Sequence, residues 1–181
     1  MRSTLLVLLA GCDAVFGLSS APVTDGNPAG DLDCPSSYVK TSTGNYHLLD
    51  THLSFIDAET ACVADGTPGA SGKTHLAVMA GTGMTGEENV VFQQIKAQNG
   101  DQMPAWVGVS KASSIDFVWI TDETPNKLGL GQPPWEQGEP TGGGDCALMP
   151  MESSGLEEQP CDTEFYPMCE CDAFAEDPSH Y

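Results

Sequence analysis

The 181-residue chain is poor in positive charge. It has six Lys and Arg residues against 26 Asp and Glu, and Arg2 is its only arginine. Proteins bind the phosphates of nucleic acids through cationic surfaces, so this balance predicts that the protein has no nucleic-acid partner. The same shortage of positive charge disfavours electrostatic docking on anionic lipid. Since aromatic residues make up 7% and apolar residues 40%, the chain can still build a folded core.

The chain also lacks an apolar run near the ~20 residues of a membrane-spanning helix. Its apolar stretch, Leu5–Leu9, follows Arg2 and is shorter than the ~7–15 residues usual in a secretory signal. Residues Leu9–Cys12 resemble the lipobox of bacterial lipoproteins, which implies cleavage before Cys12 and acylation of that cysteine. The alternative is a chance run of small residues beside an ordinary cysteine. We expect a lipid-anchored, extracytoplasmic protein of the bacterial cell envelope, on the periplasmic side or at the cell surface.

Composition divides the chain into four parts. Residues 1–11 are predicted to be the lipoprotein signal peptide. Residues 12–33 contain the acylated cysteine and then mostly Gly, Pro, Asp and Ser, which is typical of a flexible tether. Residues 34–172 are predicted to form the folded domain, and residues 173–181 a C-terminal tail. Removal of residues 1–11 would leave five lysines against 26 acidic residues, a formal net charge of −21.

Six cysteines follow Cys12, and an even number in an exported domain suggests three disulfides with fifteen possible pairings. They are Cys34, Cys62, Cys146, Cys161, Cys169 and Cys171. A zinc site is the weaker interpretation, because Cys169-Glu170-Cys171 is not a Cys-x-x-Cys pair and no histidine lies at a matching spacing. The four histidines are interpreted as ordinary surface or strand residues: His47, His52, His75 and His180.

Two helices are predicted. Ser54 is a candidate N-cap, Asp57 lies where the positive helix end favours an acid, and Gly66 ends the segment. Its apolar residues have the spacing of one buried face: Phe55, Ala58 and Cys62. The second helix begins at the capping-box sequence Thr85-Gly86-Glu87-Glu88 and ends at Asn99-Gly100. Strand candidates are Tyr46–Leu49, Ala105–Ser110, Phe117–Ile120, Ala147–Met151 and Phe165–Glu170.

These residues carry a resemblance to C-type lectin-like domains over the whole predicted domain. The matching segments, in the order of the family's motifs, are Cys34–Tyr38, Phe55–Cys62, His75–Val78, Trp106–Val109, Phe117–Asp122, Trp135–Thr141, Asp145-Cys146, Cys161 and Pro167–Glu170. The resemblance implies an α+β fold, with two helices against small antiparallel sheets and a long irregular binding loop. It also implies that Trp106 and Trp119 lie in the core and that Trp135 is more a packing anchor than a ligand-stacking residue.

The resemblance implies a disulfide assignment as well. In the family, the helix cysteine pairs with the last strand, which assigns Cys62 to Cys169. The pair beside the binding loop corresponds to Cys146 and Cys161. Cys34 and Cys171 are then left to form the third pair, because the family brings its two termini together as neighbouring strands.

Sugar-binding members hold a calcium ion in the long loop, with a Glu-Pro-Asn triplet whose peptide before proline is cis. Glu139 and Pro140 match this triplet, and Thr141 replaces its asparagine. Gly144 stands where the family has an acid, although Asp145 is adjacent. Leu156-Glu157-Glu158 stands in place of the family's Trp-Asn-Asp.

The resemblance therefore implies five ligand-binding residues: Glu139, Thr141, Asp145, Glu157 and Glu158. Three of them would be calcium ligands: Glu139, Glu157 and Glu158. Carboxylates this close would repel one another without a cation, but acidic residues are also abundant everywhere in this chain. A second acidic group, Asp116, Asp122 and Glu123, is interpreted as solvated surface in preference to an accessory calcium site.

Two functions fit these features. The first is a carbohydrate-binding module, with calcium as a candidate ion. The alternative is a calcium-independent adhesion or protein-binding module, whose partner would be another cell-surface ligand. We expect no enzyme, since the chain has no nucleophile with a base, no zinc motif and no phosphate loop.

Overall fold

The computed structural model describes residues 32–79, 86–100, 104–111, 116–123, 127–128 and 135–181. Residues 1–31, which include the predicted signal peptide, Cys12 and most of the tether, lie outside this part. The helices are α1 (Phe55–Asp65) and α2 (Glu87–Asn99), and a 3₁₀ turn covers Pro178–His180. The strands are β1 (Val39–Lys40), β2 (Asn45–Leu48), β3 (Lys73–Leu76), β4 (Ala105–Ser110), β5 (Phe117–Trp119), β6 (Lys127–Leu128), β7 (Cys146–Met149), β8 (Glu157–Gln159) and β9 (Tyr166–Asp172).

Helix α1 begins as predicted, because the Ser54 hydroxyl accepts a hydrogen bond from the Asp57 N–H. Its buried residues include Phe55, Ala58 and Cys62, the predicted apolar face. Helix α2 differs at its start: Gly86 is the N-cap, at φ 102°, with no side-chain cap. The predicted capping box is therefore not what begins this helix. A glycine adopts that φ readily, and Thr85 lies outside the described residues.

Strand β9 is hydrogen-bonded on both sides. It runs antiparallel to β2, with His47 opposite Cys169, and antiparallel to β3, with Leu76 also opposite Cys169. Its first residues pair with β4 in parallel, Ala105 opposite Tyr166, and this pair departs from the antiparallel sheets that were predicted. Parallel neighbours need a long connection between them, and the chain from Ser110 to Tyr166 supplies it. Strand β4 then pairs with β5 and β7, and β7 with β8.

The core is packed around Trp106, which is fully buried on β4. Its ring meets Phe55 and Phe165 edge to face, at centroid distances of 5.5 and 5.0 Å, and its Nε1–H donates to the Leu53 carbonyl at 2.9 Å. Trp119 is 1% exposed, so both tryptophans predicted to be core residues are confirmed. Gly108 lets strands approach closely, because a Cβ there would lie 2.7 Å from the Leu76 carbonyl oxygen.

Three disulfides join the elements: Cys34–Cys171, Cys62–Cys169 and Cys146–Cys161. They are the pairs that the family resemblance implies. Two of them attach β9, one to helix α1 and one to the N-terminal end of the domain. The third joins the start of β7 to the residue that follows the β8 hairpin.

The segment predicted as a C-terminal tail packs against the domain. The Asp177 N–H donates to the Ile120 carbonyl at 2.7 Å, and Glu176 forms an antiparallel bridge with Thr121. Tyr181 packs against the core cluster. This segment therefore covers the end of β5.

The disulfides Cys62–Cys169 and Cys146–Cys161 should differ in their contribution to stability. In the chain-entropy model a 15-residue loop contributes ~3 kcal/mol and a loop near 100 residues ~4.7 kcal/mol. The sequence separations here are 15 for Cys146–Cys161 and 107 for Cys62–Cys169. We therefore expect the paired replacement of Cys62 and Cys169 by Ala to lower the free energy of unfolding more than that of Cys146 and Cys161. Denaturant titration measures both effects, and peptide mapping of the wild type should find only the three pairs Cys34–Cys171, Cys62–Cys169 and Cys146–Cys161. Any other pairing would contradict the structure.

Candidate functional site

The candidate loop begins at Trp135, which is 8% exposed. Its ring packs on Phe117 at a centroid distance of 4.6 Å, and its backbone bridges Leu156 just before β8. Trp135 thus joins the loop to strands β5 and β8. The interpretation of this residue as a packing anchor is supported by this burial.

Glu139, Thr141 and Glu158 lie together. The peptide between Glu139 and Pro140 is cis, and Thr141 follows directly. The Thr141 hydroxyl donates to Glu158 Oε1 at 2.6 Å, and the Gly143 N–H donates to the same oxygen. The Glu158 N–H donates to Glu139 Oε2 at 3.3 Å. The loop is therefore folded around the carboxylate of Glu158.

The Glu158 carboxylate is 5% exposed yet held in its charged form. Burial alone would raise its pKa, but the hydrogen bonds from Thr141 and Gly143 and the charge of Lys111 lower the pKa below the ordinary value of a glutamate. Its second oxygen, Oε2, is buried and has no hydrogen-bond partner among the described residues. An unpaired buried carboxylate oxygen is costly unless a cation or a donor reaches it.

Glu157 points to a different surface. Successive side chains of a strand alternate between its two faces, and in β8 Glu158 is buried while Glu157 is half-buried. Glu157 lines a groove of about 330 Å³ with Met151, Glu152 and Phe165 among its neighbours. Burial and the negative charges of Glu139, Glu136 and Glu152 raise the pKa of Glu157. Glu157 and Glu158 therefore differ in burial along β8, while Glu157 still lies within reach of the charge of Glu139.

Asp145 is exposed and pairs with Lys111. Its side chain is 72% exposed, and its Oδ1 lies 3.7 Å from Lys111 Nζ. The ammonium of Lys111 is 3.5 Å from the Gly144 carbonyl and 4.4 Å from the centre of the Phe117 ring. A positive charge of the protein itself therefore stands at the edge of this loop.

Gly144 has a structural reason to differ from the family. A Cβ at this position would lie 2.0 Å from the backbone carbon of Gln159 and 2.2 Å from its oxygen. No side chain fits there without moving the backbone. The acid that sugar-binding members carry at this position is excluded by the packing of the loop on the end of β8.

The second acidic group is divided by the fold. Asp116 and Asp122 are exposed, as interpreted from the sequence, but Glu123 is 4% exposed. The surface interpretation was wrong for Glu123, because the residues after β5 turn inward under the C-terminal segment. There Glu123 lies with His75 and Asp172. No sequence motif indicates this group, since its three residues lie far apart along the chain.

The fold and the loop define a class of protein: a disulfide-bonded binding domain with a long loop beside β7 and β8. The sequence model of the lectin C-type domain matches residues 51–171. The chain belongs to this family. No curated protein sequence matches the chain. Among the described residues, no helix is long and apolar enough to cross a membrane.

Solved structures share the fold at low sequence identity. C-type lectin CEL-I from Cucumaria echinata aligns with a TM-score of 0.61 and 19% identity, over 77% of this chain and 97% of that chain. Ovocleidin-17, a major protein of the calcified eggshell layer of Gallus gallus, aligns with a TM-score of 0.60 and 22% identity, over 77% of this chain and 99% of that chain. The carbohydrate-recognition domain of the mouse scavenger receptor C-type lectin aligns with a TM-score of 0.58 and 18% identity, over 77% of this chain and 96% of that chain.

The hydroxyl of Thr141 should stabilise the loop. Thr141→Val removes the hydrogen bond to Glu158 while keeping the shape of the side chain. We expect it to lower the free energy of unfolding by about 1 kcal/mol in the presence of chelator, since one hydrogen bond makes a modest net contribution to stability. Thr141→Ser keeps the hydroxyl and is the matched control. Equal stability of the Val variant and the wild type by denaturant titration would contradict this hydrogen bond.

Proposed function

We propose that the protein is an extracytoplasmic binding module that recognises carbohydrate through the loop of residues 135–145 and the side chain of Glu158. Membership of the lectin C-type family supports a binding function. The observation that carries the proposal is that hydrogen bonds join Glu158 to Thr141 and Glu139, which precede it by 17 and 19 residues. A similar structure, the mouse scavenger receptor domain, is described as a carbohydrate-recognition domain.

Calcium is the ion that the family implies, and two of the three predicted ligands fit it. Glu158 Oε2 is buried without a partner among the described residues, and Glu139 lies beside the Glu158 backbone. Position 144 has no room for an acidic side chain, and Glu157 is less buried in β8 than Glu158. Calcium takes about six to eight oxygens, so two carboxylates and one hydroxyl would supply up to about five.

Each residue of the site would then have a separate role in binding. Glu139 and Glu158 would hold the ion, and the Thr141 hydroxyl would keep the Glu158 carboxylate in place by donating to it. When bound, calcium supplies coordination positions that two neighbouring sugar hydroxyls can fill. The carboxylates would also accept hydrogen bonds from those hydroxyls. Trp135 keeps the start of the loop in place by packing on Phe117.

Two observations favour the alternative of a calcium-independent module. Glu158 Oε1 already receives two hydrogen bonds from the loop, which hold the carboxylate without an ion. Lys111 also lowers the pKa of Glu158 and so supplies part of the compensating charge. In this alternative the loop would bind a protein or another surface ligand.

Calcium should stabilise the wild type selectively. An ion that binds only the folded state stabilises it by ~2.7 kcal/mol at a hundredfold excess over its dissociation constant. We expect the melting temperature to rise in calcium and to rise much less in magnesium at equal ionic strength. Glu139→Gln should abolish the calcium-selective rise, because it removes a charge and one directed oxygen. Thermal unfolding in calcium, in magnesium and in chelator makes this comparison.

A matched control is Asp122→Asn, which removes an exposed carboxylate away from the loop and should leave the calcium response intact. Equal rises with both ions in the wild type and in Glu139→Gln would contradict a calcium site at this loop. A glycan array probed with and without chelator then distinguishes calcium-mediated sugar binding from the calcium-independent alternative. Sugar binding lost in chelator supports calcium-mediated recognition, and sugar binding unchanged by chelator supports the calcium-independent module.

We further propose that a lipid on Cys12 holds the domain at the bacterial envelope. The support is the segment Leu9–Cys12 and the Gly- and Pro-rich stretch that follows it. Acyl chains add about 0.8 kcal/mol per buried methylene, so a multiply acylated terminus binds a bilayer firmly.

Cys12→Ser should release the protein from the membrane fraction. The residue would no longer have the thiol that accepts the lipid, and the tether would end in free solvent. Cell fractionation measures the release, and mass spectrometry of the wild type should find the added acyl mass. Wild-type protein without lipid, or a variant that still fractionates with membranes, would contradict the anchor.

A further inference from the structure

A second group of polar side chains is enclosed beneath the C-terminal segment. His75 is 0% exposed, Asp172 1% and Glu123 4%. Each offers one ligand atom, and these three atoms all lie within 4.8 Å of one another. They come from β3, from the end of β9 and from the residues after β5. The fold therefore brings three separate parts of the chain to one enclosed point.

The two ring nitrogens of His75 have different partners. Nδ1 lies 2.8 Å from the Leu76 carbonyl oxygen, so this nitrogen carries a proton and donates it. Nε2 lies 3.1 Å from Asp172 Oδ1. Histidines that bind metals commonly donate their other ring N–H to a carbonyl or carboxylate, which fixes the ring and leaves one lone pair directed at the ion. The His75 ring has this arrangement.

Asp172 is held in place with one of its carboxylate oxygens uncommitted. Asp172 Oδ1 accepts the Phe174 N–H at 2.7 Å, whereas Asp172 Oδ2 is buried and has no hydrogen-bond partner among the described residues. The Thr121 hydroxyl donates to Glu123 Oε1 at 3.0 Å. Nearby, Glu59 Oε2 accepts the Leu76 N–H, and Glu59 Oε1 has no partner among the described residues. Buried carboxylates concentrated in this way call for a positive charge.

We propose that His75, Glu123 and Asp172 bind a divalent transition-metal ion, with zinc as the best match. One imidazole and two carboxylates suit zinc, which takes nitrogen at ~2.0–2.1 Å and carboxylate oxygen at ~2.0–2.2 Å. Two such ligands in a tetrahedral site lie about 3.4 Å apart. The observed 3.1 Å between His75 Nε2 and Asp172 Oδ1 is near that value, and a ligand atom of Glu123 lies within 4.8 Å of the other two.

The ion would have a structural role. It would link β3 and β9 to the residues after β5, and Thr121 of that segment already pairs with Glu176 of the C-terminal segment. The proposed zinc ligands are His75, Glu123 and Asp172, and none of them belongs to the loop site of Glu139 and Glu158. The zinc site is thus independent of the proposed sugar site, and each is tested separately.

The competing interpretation is a buried ion pair. Without a metal, burial disfavours the imidazolium, but the hydrogen bond and charge of Asp172 and the charge of Glu59 outweigh it and raise the pKa of His75 to about 9. A protonated Nε2 would then donate to Asp172. Metal and proton compete for the same lone pair, so only one of the two occupies it at a time.

Metal content decides between them. Wild-type protein exported from zinc-supplemented cells should contain about one zinc per chain by mass spectrometry of its metals. TPEN, a chelator that prefers zinc to calcium, should remove the zinc and lower the melting temperature. His75→Gln and Glu123→Gln should each lose the zinc and no longer respond to TPEN.

His47→Gln is the matched control, because His47 forms a similar pair with Asp65 at 2.9 Å but lies outside the group. It should keep one zinc, as should Glu139→Gln. Wild type that contains no zinc, takes none up and melts at the same temperature with zinc or TPEN would overturn the proposal in favour of the ion pair. This comparison uses only the wild type, so it holds even if a variant fails to fold.

Discussion

The central position of strand β9 is the constraint on which the rest of the structure depends. Six of its seven residues are buried, and β2 and β3 hydrogen-bond to it from either side. It carries Cys169 and Cys171, whose disulfides bring helix α1 and the start of the domain to the same strand. Its last residue, Asp172, reaches the buried histidine of β3. A strand connected in this way supports the sheet from which the binding loop projects.

The binding loop depends on local hydrogen bonds more than on packing. The carboxylate of Glu158 receives donors from Thr141 and Gly143, and the Glu158 backbone in turn donates to Glu139. Gly144 allows the loop to approach Gln159 at a distance that no side chain permits. The loop therefore keeps the family's Glu-Pro pair while it replaces other oxygen ligands with internal contacts. Because internal contacts replace some of the family's oxygen ligands, calcium dependence does not follow from family membership and has to be measured.

Much of the fold was predictable, and the reasons are physical. Helix α1 has a capping serine and apolar residues at helical spacing, and β4 is an apolar run whose predicted bounds match the structure. Strand β8 was missed, because Glu157–Gln159 has low strand propensity and becomes a strand through its pairing with β7. Glu157 and Glu158 differ in burial because successive side chains of a strand alternate between its two faces. This difference could be predicted only if residues 157–159 had been recognised as a strand. The group around His75 depends on tertiary folding, which no sequence spacing reveals.

The proposed function is carbohydrate recognition at the loop that contains Glu139, Thr141 and Glu158. An NMR titration of the labelled protein with a glycan selected on the array tests it directly, with calcium present. The account predicts that the backbone amides of Gly143 and Glu158 shift with saturation, while those lining the groove of Glu157, such as Met151, do not. Shifts confined to that groove, or none anywhere in the loop, would contradict the account.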